Sequence, residues 1–274
     1  MSLIPKTIYQ SWKTKNLDDN SLQNIKRLQY LNPEYNYILY DDDDCRQFFL
    51  DNFGSNYANA FDALIPGAFK CDFWRYAILY VKGGIYMDMD MKPMVPFRNL
   101  VSTNDQFVSI VDMKHGIDNL PGIYQAFMAA RPKHPILLQA LQLSFANITT
   151  RKNPVISLDL TGPTVMGTAF NLYLENVDTY SDIKPGVYEN GVKLYHMDPT
   201  NTYDLDGNII IINKYDGYDN GGGYGFPLLS YYHNESRKIT IIWEKYIKNI
   251  ILIVALVLVY KYRKDFLHCK KKLN

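Results

Sequence analysis

Two aspartates, Asp88 and Asp90, stand one residue apart in the stretch IYMDMDM. In an extended strand Tyr86, Asp88 and Asp90 share one face, while Met87, Met89 and Met91 take the other. The methionine face can pack into a core. The opposite face then carries two carboxylates about 7 Å apart along the backbone, and Pro93 stops the strand. Two acids converging at a strand's end repel each other unless a cation sits between them. A divalent metal relieves that repulsion and then attracts a diphosphate. The chemistry implied is metal-assisted departure of a phosphorylated leaving group. An Asp-x-Asp alone arises often by chance, so its surroundings carry the weight.

Asp72 and Arg75 precede the pair at i and i+3 of a helical pattern, so they share a face. Taken alone, they read as a surface ion pair contributing about 0.3–0.5 kcal/mol. The functional alternative is a polar fork that hydrogen-bonds sugar hydroxyls, with the arginine also close to phosphate.

The elements that must position these residues follow from pattern and punctuation. Ile4–Trp12 alternates apolar and polar residues after a proline, as a first strand would. A helix over about 21–30 and a second strand over about 35–40 follow. The acidic run Asp41–Asp44 leads straight into the helical pattern RQFFLDNF, so it reads as a helix cap rather than a metal site. Pro66-Gly67 opens the helix AFKCDFWRYAILYVK, Gly83 ends it, and Gly84 leads into the strand bearing the acids. Strand–helix–strand alternation with short connections predicts an α/β fold with a mainly parallel sheet. Asn171–Glu175 and the aromatic-rich 215–232 stretch resist assignment. Gly221–Gly223 inside the latter marks a loop.

Composition narrows the classes further. The 274 residues are 47% hydrophobic, enough for one large domain plus an appendage. Net charge is +1, which offers no global field for nucleic acid. Three cysteines, Cys45, Cys71 and Cys269, are too scattered for a disulfide framework or a cysteine zinc site. The N-terminus lacks the features of a secretory signal, so the chain is expected to begin with its folded domain. Near the other end, residues 250–260 read IILIVALVLVY without a charge. Extended to 246–262, with Lys248 and Lys261 snorkelling and tyrosines at both interfaces, the segment predicts a single-pass hydrophobic helix as membrane anchor. A buried core segment is the alternative. The division expected is residues 1–240 as the main domain and 241–274 as anchor plus basic tail, with the side of the membrane undetermined.

The stretch CDFWRYAILYVKGGIYMDMDMKP resembles the signature of glycosyltransferases with a DXD-type sugar-binding region. In that family an Asp-x-x-Arg-Tyr helix is followed by Gly-Gly-x-Tyr-x-Asp-x-Asp. It includes yeast α-1,6-mannosyltransferase and inositol-phosphoceramide mannosyltransferase types, with clostridial glucosylating toxins more distant. IPKTIYQSWK, NPEYNYILYDDDD and the TGP at Thr161–Pro163 agree with it in order. The resemblance implies a GT-A-like, Rossmann-type fold and a hexose transferred with retention from a UDP- or GDP-linked donor. The acceptor would be a hydroxyl of a glycan, glycolipid or protein. By the same resemblance Asp88 and Asp90 are the DXD acids that hold Mn²⁺ or Mg²⁺, Asp88 also contacting the donor. Asp72 and Arg75 contact the donor sugar, Gln10 and Trp12 lie near the nucleotide, and His233 is a candidate third metal contact. Departures from the pattern are Tyr9 for histidine, Gln125 for asparagine, and HNESRK without the Ser-Trp pair that usually follows the late histidine.

Two other classes compete. One is a non-catalytic, membrane-tethered protein that binds nucleotide sugar or glycan on the same fold. The other is a metal-dependent nucleotidyltransferase, which should carry a glycine-rich phosphate loop after its first strand. QSWKTKN, without glycine, stands there instead.

Overall fold

The computed structural model describes residues 2–214, apart from 117–118, 153–157, 177 and 179–180, together with Tyr232. The first strand, β1 (Thr7–Ser11), leads to α1 (Asp19–Leu31), where the Asp18 side chain accepts the Ser21 amide and caps the helix. After β2 (Asn36–Tyr40), Asp41 and Asp44 form a reciprocal capping box at the start of α2 (Asp42–Phe53). The acidic run thus closes a helix end, as its sequence context predicts.

α3 (Ser55–Ala63) and α4 (Gly67–Lys82) follow. α4 buries Phe69, Phe73, Trp74, Tyr76, Ile78 and Leu79, nearly its whole circumference, so it is an interior helix. Each such side chain contributes about 1.5–3 kcal/mol. The chain then turns through Gly83 and Gly84, at φ of 64° and 107°. A Cβ on Gly84 would lie 2.6 Å from the Thr7 carbonyl oxygen, so both conformation and space demand glycine there.

β3 (Gly84–Met87) is shorter than the sequence suggests. It stops before Asp88, and Asp88–Met91 forms a turn in which the Met91 amide donates to the Asp88 carbonyl at 3.3 Å. All three methionines, Met87, Met89 and Met91, are nevertheless buried as the alternation predicts. Next come β4 (Lys92–Pro93), β5 (Phe107–Val111), β6 (Ile123–Ala130) and α5 (Pro135–Thr149). The rest comprises α6 (Leu158–Thr161), α7 (Pro163–Tyr173), β7 (Gly186–Tyr188), β8 (Val192–Met197), β9 (Asn201–Tyr203) and β10 (Ile209–Ile212). Residues 171–173, unassigned from sequence, end α7.

The strands form one sheet in the order β2-β1-β3-β6-β5-β8-β9-β10-β4, with β7 beside β8. The α/β class holds, but the sheet is mixed rather than mainly parallel. β1–β2, β1–β3 and β5–β8 are parallel, and the other pairings are antiparallel. Helical crossovers enforce parallel pairing only among the first three strands. β6 then enters between β3 and β5 in the opposite sense, a choice set by tertiary pairing.

β2 and β3 lie on opposite sides of β1, so the crossovers change direction there. Such a switch opens a crevice at the carboxyl ends of the strands. One sheet face packs Ile8, Ile85 and Met87 with Leu28, Phe97 and Phe127. On α4, Trp74 packs against Tyr40 and Tyr86.

The chain divides into two compact units, Met1–Tyr224 and Gly225–Asn274. The expected anchor at 246–262 and basic tail lie outside the described residues. Among the described residues no helix is long and apolar enough to cross a membrane.

Candidate active site

The carboxyl ends of β1, β2 and β3 bring together Ser11 and Trp12, Tyr40 and Asp41, and Met87 and Asp88. Asp88 sits just beyond β3, where its amide donates to the Ala126 carbonyl at 2.8 Å. Its Oδ1 accepts from Arg75 Nη2 at 2.8 Å and from the Tyr86 hydroxyl at 2.7 Å. Arg75 also stacks over the Tyr86 ring, 4.5 Å from its centroid. One carboxylate oxygen of Asp88 is therefore fixed by a buried cation and a buried hydroxyl.

Asp90 differs. Burial and the neighbouring Asp88 push its carboxyl up to about 7. Two acids so placed form a donor set for a hard divalent cation, which would relieve their repulsion. Among the described residues no group of three or more His, Cys, Asp or Glu side chains is disposed to hold a metal. His233 lies outside the described residues.

The Asp72–Arg75 pair is interior, not the surface pair that its spacing alone suggests. The side chains are 0% and 4% exposed, with Arg75 Nη2 3.5 Å from Asp72 Oδ1. The physical reason is the all-round burial of α4. Burial pushes the Asp72 carboxyl up to about 6, against the opposing pull of Arg75. Thr161 donates its hydroxyl to Asp72 Oδ2 at 3.0 Å, so the TGP segment grips the fork across 89 residues of sequence. Tyr76, one residue after Arg75, donates to the Thr161 carbonyl at 2.7 Å and contacts the Gln125 side chain. Asp72 Oδ1 is left to Arg75, and the neighbouring Gln125 side chain, like Arg75 and Thr161, draws the Asp72 carboxyl back down.

Gln10 supports the acidic turn from below. It is 1% exposed, and its Nε2 donates to the Asp88 carbonyl at 3.2 Å while Oε1 accepts from the Tyr37 hydroxyl at 2.9 Å. Trp12 lies half-buried just past the end of β1, with its amide donating to the Tyr40 carbonyl. Asp72, Arg75, Asp88, Asp90, Gln10 and Trp12 thus converge on one sheet edge.

Sequence reasoning missed Asn24. Its Nδ2 donates to the carbonyls of Met89 and Met91 at 3.0 and 2.8 Å, fixing the backbone of the acidic turn. It missed Tyr37 as well. Each makes its contact across a long stretch of sequence, and no local pattern signals it.

The chain is similar over part of its length to known glycosyltransferases. Residues 18–108 match the family described as glycosyltransferase sugar-binding region containing DXD motif. The chain is 30% identical over 182 residues to inositol phosphoceramide mannosyltransferase 1 of Schizosaccharomyces pombe, covering 64% of this chain and 53% of that one. It is 26% identical over 214 residues to an uncharacterized glycosyltransferase of Acanthamoeba polyphaga mimivirus, covering 73% and 75%. Among solved structures, the PaToxG glycosyltransferase superposes with a TM-score of 0.49 at 20% identity, over 64% of this chain and 72% of that one. The chain therefore spans about half the length of the S. pombe relative. The resemblance to glycosyltransferases with a DXD region is borne out over the residues that carry it.

Proposed function

We propose that the chain is a metal-dependent, retaining hexosyltransferase of GT-A-like fold that uses a nucleotide diphosphate sugar and a hydroxyl acceptor. The observation that carries this reading is the paired acids at a topological switch point, with the buried Asp72–Arg75 fork beside them. A mannosyl donor is the first expectation, from the name of the S. pombe relative.

Each residue has a part. Asp88 and Asp90 would hold Mn²⁺ or Mg²⁺, which when bound supplies charge neutralisation for the departing diphosphate. Arg75 keeps Asp88 in one orientation and adds a buried positive charge beside the phosphate path. Asp72, held by Arg75 and Thr161 with Gln125 beside it, would accept from a hydroxyl of a donor sugar. Gln10 and Asn24 hold the turn rigid, so the acids need little reorganisation on binding. Trp12 offers a ring at the nucleotide end of the crevice.

Residues 1–240 form the catalytic domain in this reading, and 246–262 tether it to a membrane. Co-flotation with vesicles by the full chain, and not by a chain truncated before Trp243, checks the tether. The activity is tested by incubating the full chain with UDP- and GDP-sugars and Mn²⁺, with and without EDTA, scoring released nucleoside diphosphate. EDTA-sensitive release from one donor supports the proposal. Pyrophosphate release points to nucleotidyl transfer. Binding without turnover, even with alcohols added, points to a non-catalytic module.

A further inference from the structure

A second polar centre lies on the same edge of the sheet. β3 and β5 are each antiparallel to the β6 strand between them, so they run in the same direction. The carboxyl end of β5 therefore opens beside Asp88, two strand spacings or about 10 Å away. There Asp112 Oδ2 lies 2.8 Å from His115 Nε2, and Asp112 Oδ1 accepts the Met113 amide at 2.7 Å. With the Nε2 proton directed at the carboxylate, Nδ1 carries the imidazole lone pair. Nδ1 makes no hydrogen bond among the described residues.

Two features join this pair to the donor side. A Cβ on Gly122 would lie 3.1 Å from the His115 ring and 3.2 Å from Pro163 Cβ, so ring and proline face each other across a glycine. Pro163 opens α7 two residues after Thr161, whose hydroxyl holds Asp72. Tyr124, half-buried and paired with Ile110, stands on β6 between the acid-bearing end of β3 and the Asp112 end of β5. A bulge in β6 produces this placement. Two steps along β5, from Val108 to Ile110, oppose five along β6, from Ala129 to Tyr124. Ser109 Oγ lies 3.2 and 3.1 Å from the carbonyls of Tyr124 and Phe127 and closes the bulge.

We infer that Asp112, His115 and Tyr124 form the acceptor subsite, and that it takes an uncharged polyhydroxylated ring, a hexopyranoside or cyclitol. His115 Nδ1 accepts a hydrogen bond from a ring hydroxyl, and Asp112 is a positioning residue that fixes the imidazole. Tyr124 supplies an aromatic face and a phenolic hydroxyl for a second ring oxygen. The acids on this rim disfavour an anionic ring. The inference rests on the glycosyl-transfer reading.

The test uses the full chain and the donor that it consumes. Methyl α-D-mannopyranoside, methyl α-D-glucopyranoside, methyl β-D-galactopyranoside and myo-inositol are titrated as acceptors. At least one should raise donor consumption in the wild type. In His115→Ala and Asp112→Asn the KM for that ring should rise about tenfold, the loss of one good hydrogen bond. The donor KM should shift by less than about twofold, and His115→Gln should recover part of the loss. An unchanged acceptor KM in His115→Ala would overturn the subsite, as would a donor KM that rises in step. So would a wild type that no ring alcohol stimulates while it still hydrolyses donor. Absence of any donor consumption or binding strikes the glycosyl-transfer reading itself, and the subsite falls with it.

Discussion

Replacing Arg75 by glutamine removes the cation from the centre of the site while roughly keeping its length. In the folded chain Arg75 lies 3.5 Å from Asp72 and 2.8 Å from Asp88, and the Asp72 side chain is 0% exposed. Breaking a buried pair from one side costs about 3–5 kcal/mol, because the other charge is stranded. The pH dependence identifies that charge. Asp72 is raised from 3.8 to about 6 in the fold, a difference of about 3 kcal/mol between protonation states. A raised acid favours folding fully below 3.8, and that contribution is lost as pH climbs through about 6. Without Arg75, which opposes the effect of burial, Asp72 rises further and its window moves to higher pH. At about pH 5 Asp72 is mostly protonated in both proteins, so the variant's deficit should be smallest there. Urea denaturation followed by tryptophan fluorescence should show a deficit of about 3–5 kcal/mol at pH 8, falling to under half at pH 5. An equal deficit at both pH values, or a larger one at pH 5, would show that Asp72 is not the charge left stranded.

Two further outcomes follow from buried groups. Asn24→Ala leaves the carbonyls of Met89 and Met91 without their donor, so stability should fall by about 2–4 kcal/mol and the donor KM should rise; denaturation and initial rates read the two effects. His134 is 1% exposed, and burial together with Arg131 lowers its imidazole from 6.5 to about 3. Its neutral form favours folding above 6.5, and that contribution fades as pH falls toward 3, at up to about 1.4 kcal/mol per pH unit. His134→Leu should flatten the stability curve between pH 6.5 and 4.5 in urea titrations.

Local signals located the elements of the site well. The Pro66-Gly67 start and Gly83 end of α4 needed only capping and φ preferences, and the methionine alternation placed Met87, Met89 and Met91 in the core. The same alternation made Asp88 and Asp90 strand residues. In fact β3 ends at Met87, because Asn24 and Gln10 hold the following carbonyls in a turn. Those contacts join residues 65 and 78 positions apart and have no local sequence signature. The burial of Asp72 and Arg75 was hidden for a related reason. An i,i+3 spacing defines a helix face, but whether that face meets solvent depends on what packs against α4. The antiparallel entry of β6 likewise follows from strand pairing, and the bulge next to Tyr124 depends on the register with β5.

In the proposed reaction Asp90 acts with a divalent cation on a nucleotide diphosphate sugar. Asp90→Asn keeps the shape of the side chain and removes the charge whose burial and nearness to Asp88 raise its carboxyl to about 7. Released nucleoside diphosphate should be measured for wild type and Asp90→Asn at saturating donor across a Mn²⁺ titration, with Tm recorded for both. Release should be lost in the variant at every Mn²⁺ concentration, while Tm stays unchanged or rises. A fully active, metal-responsive Asp90→Asn protein would contradict this role of Asp90.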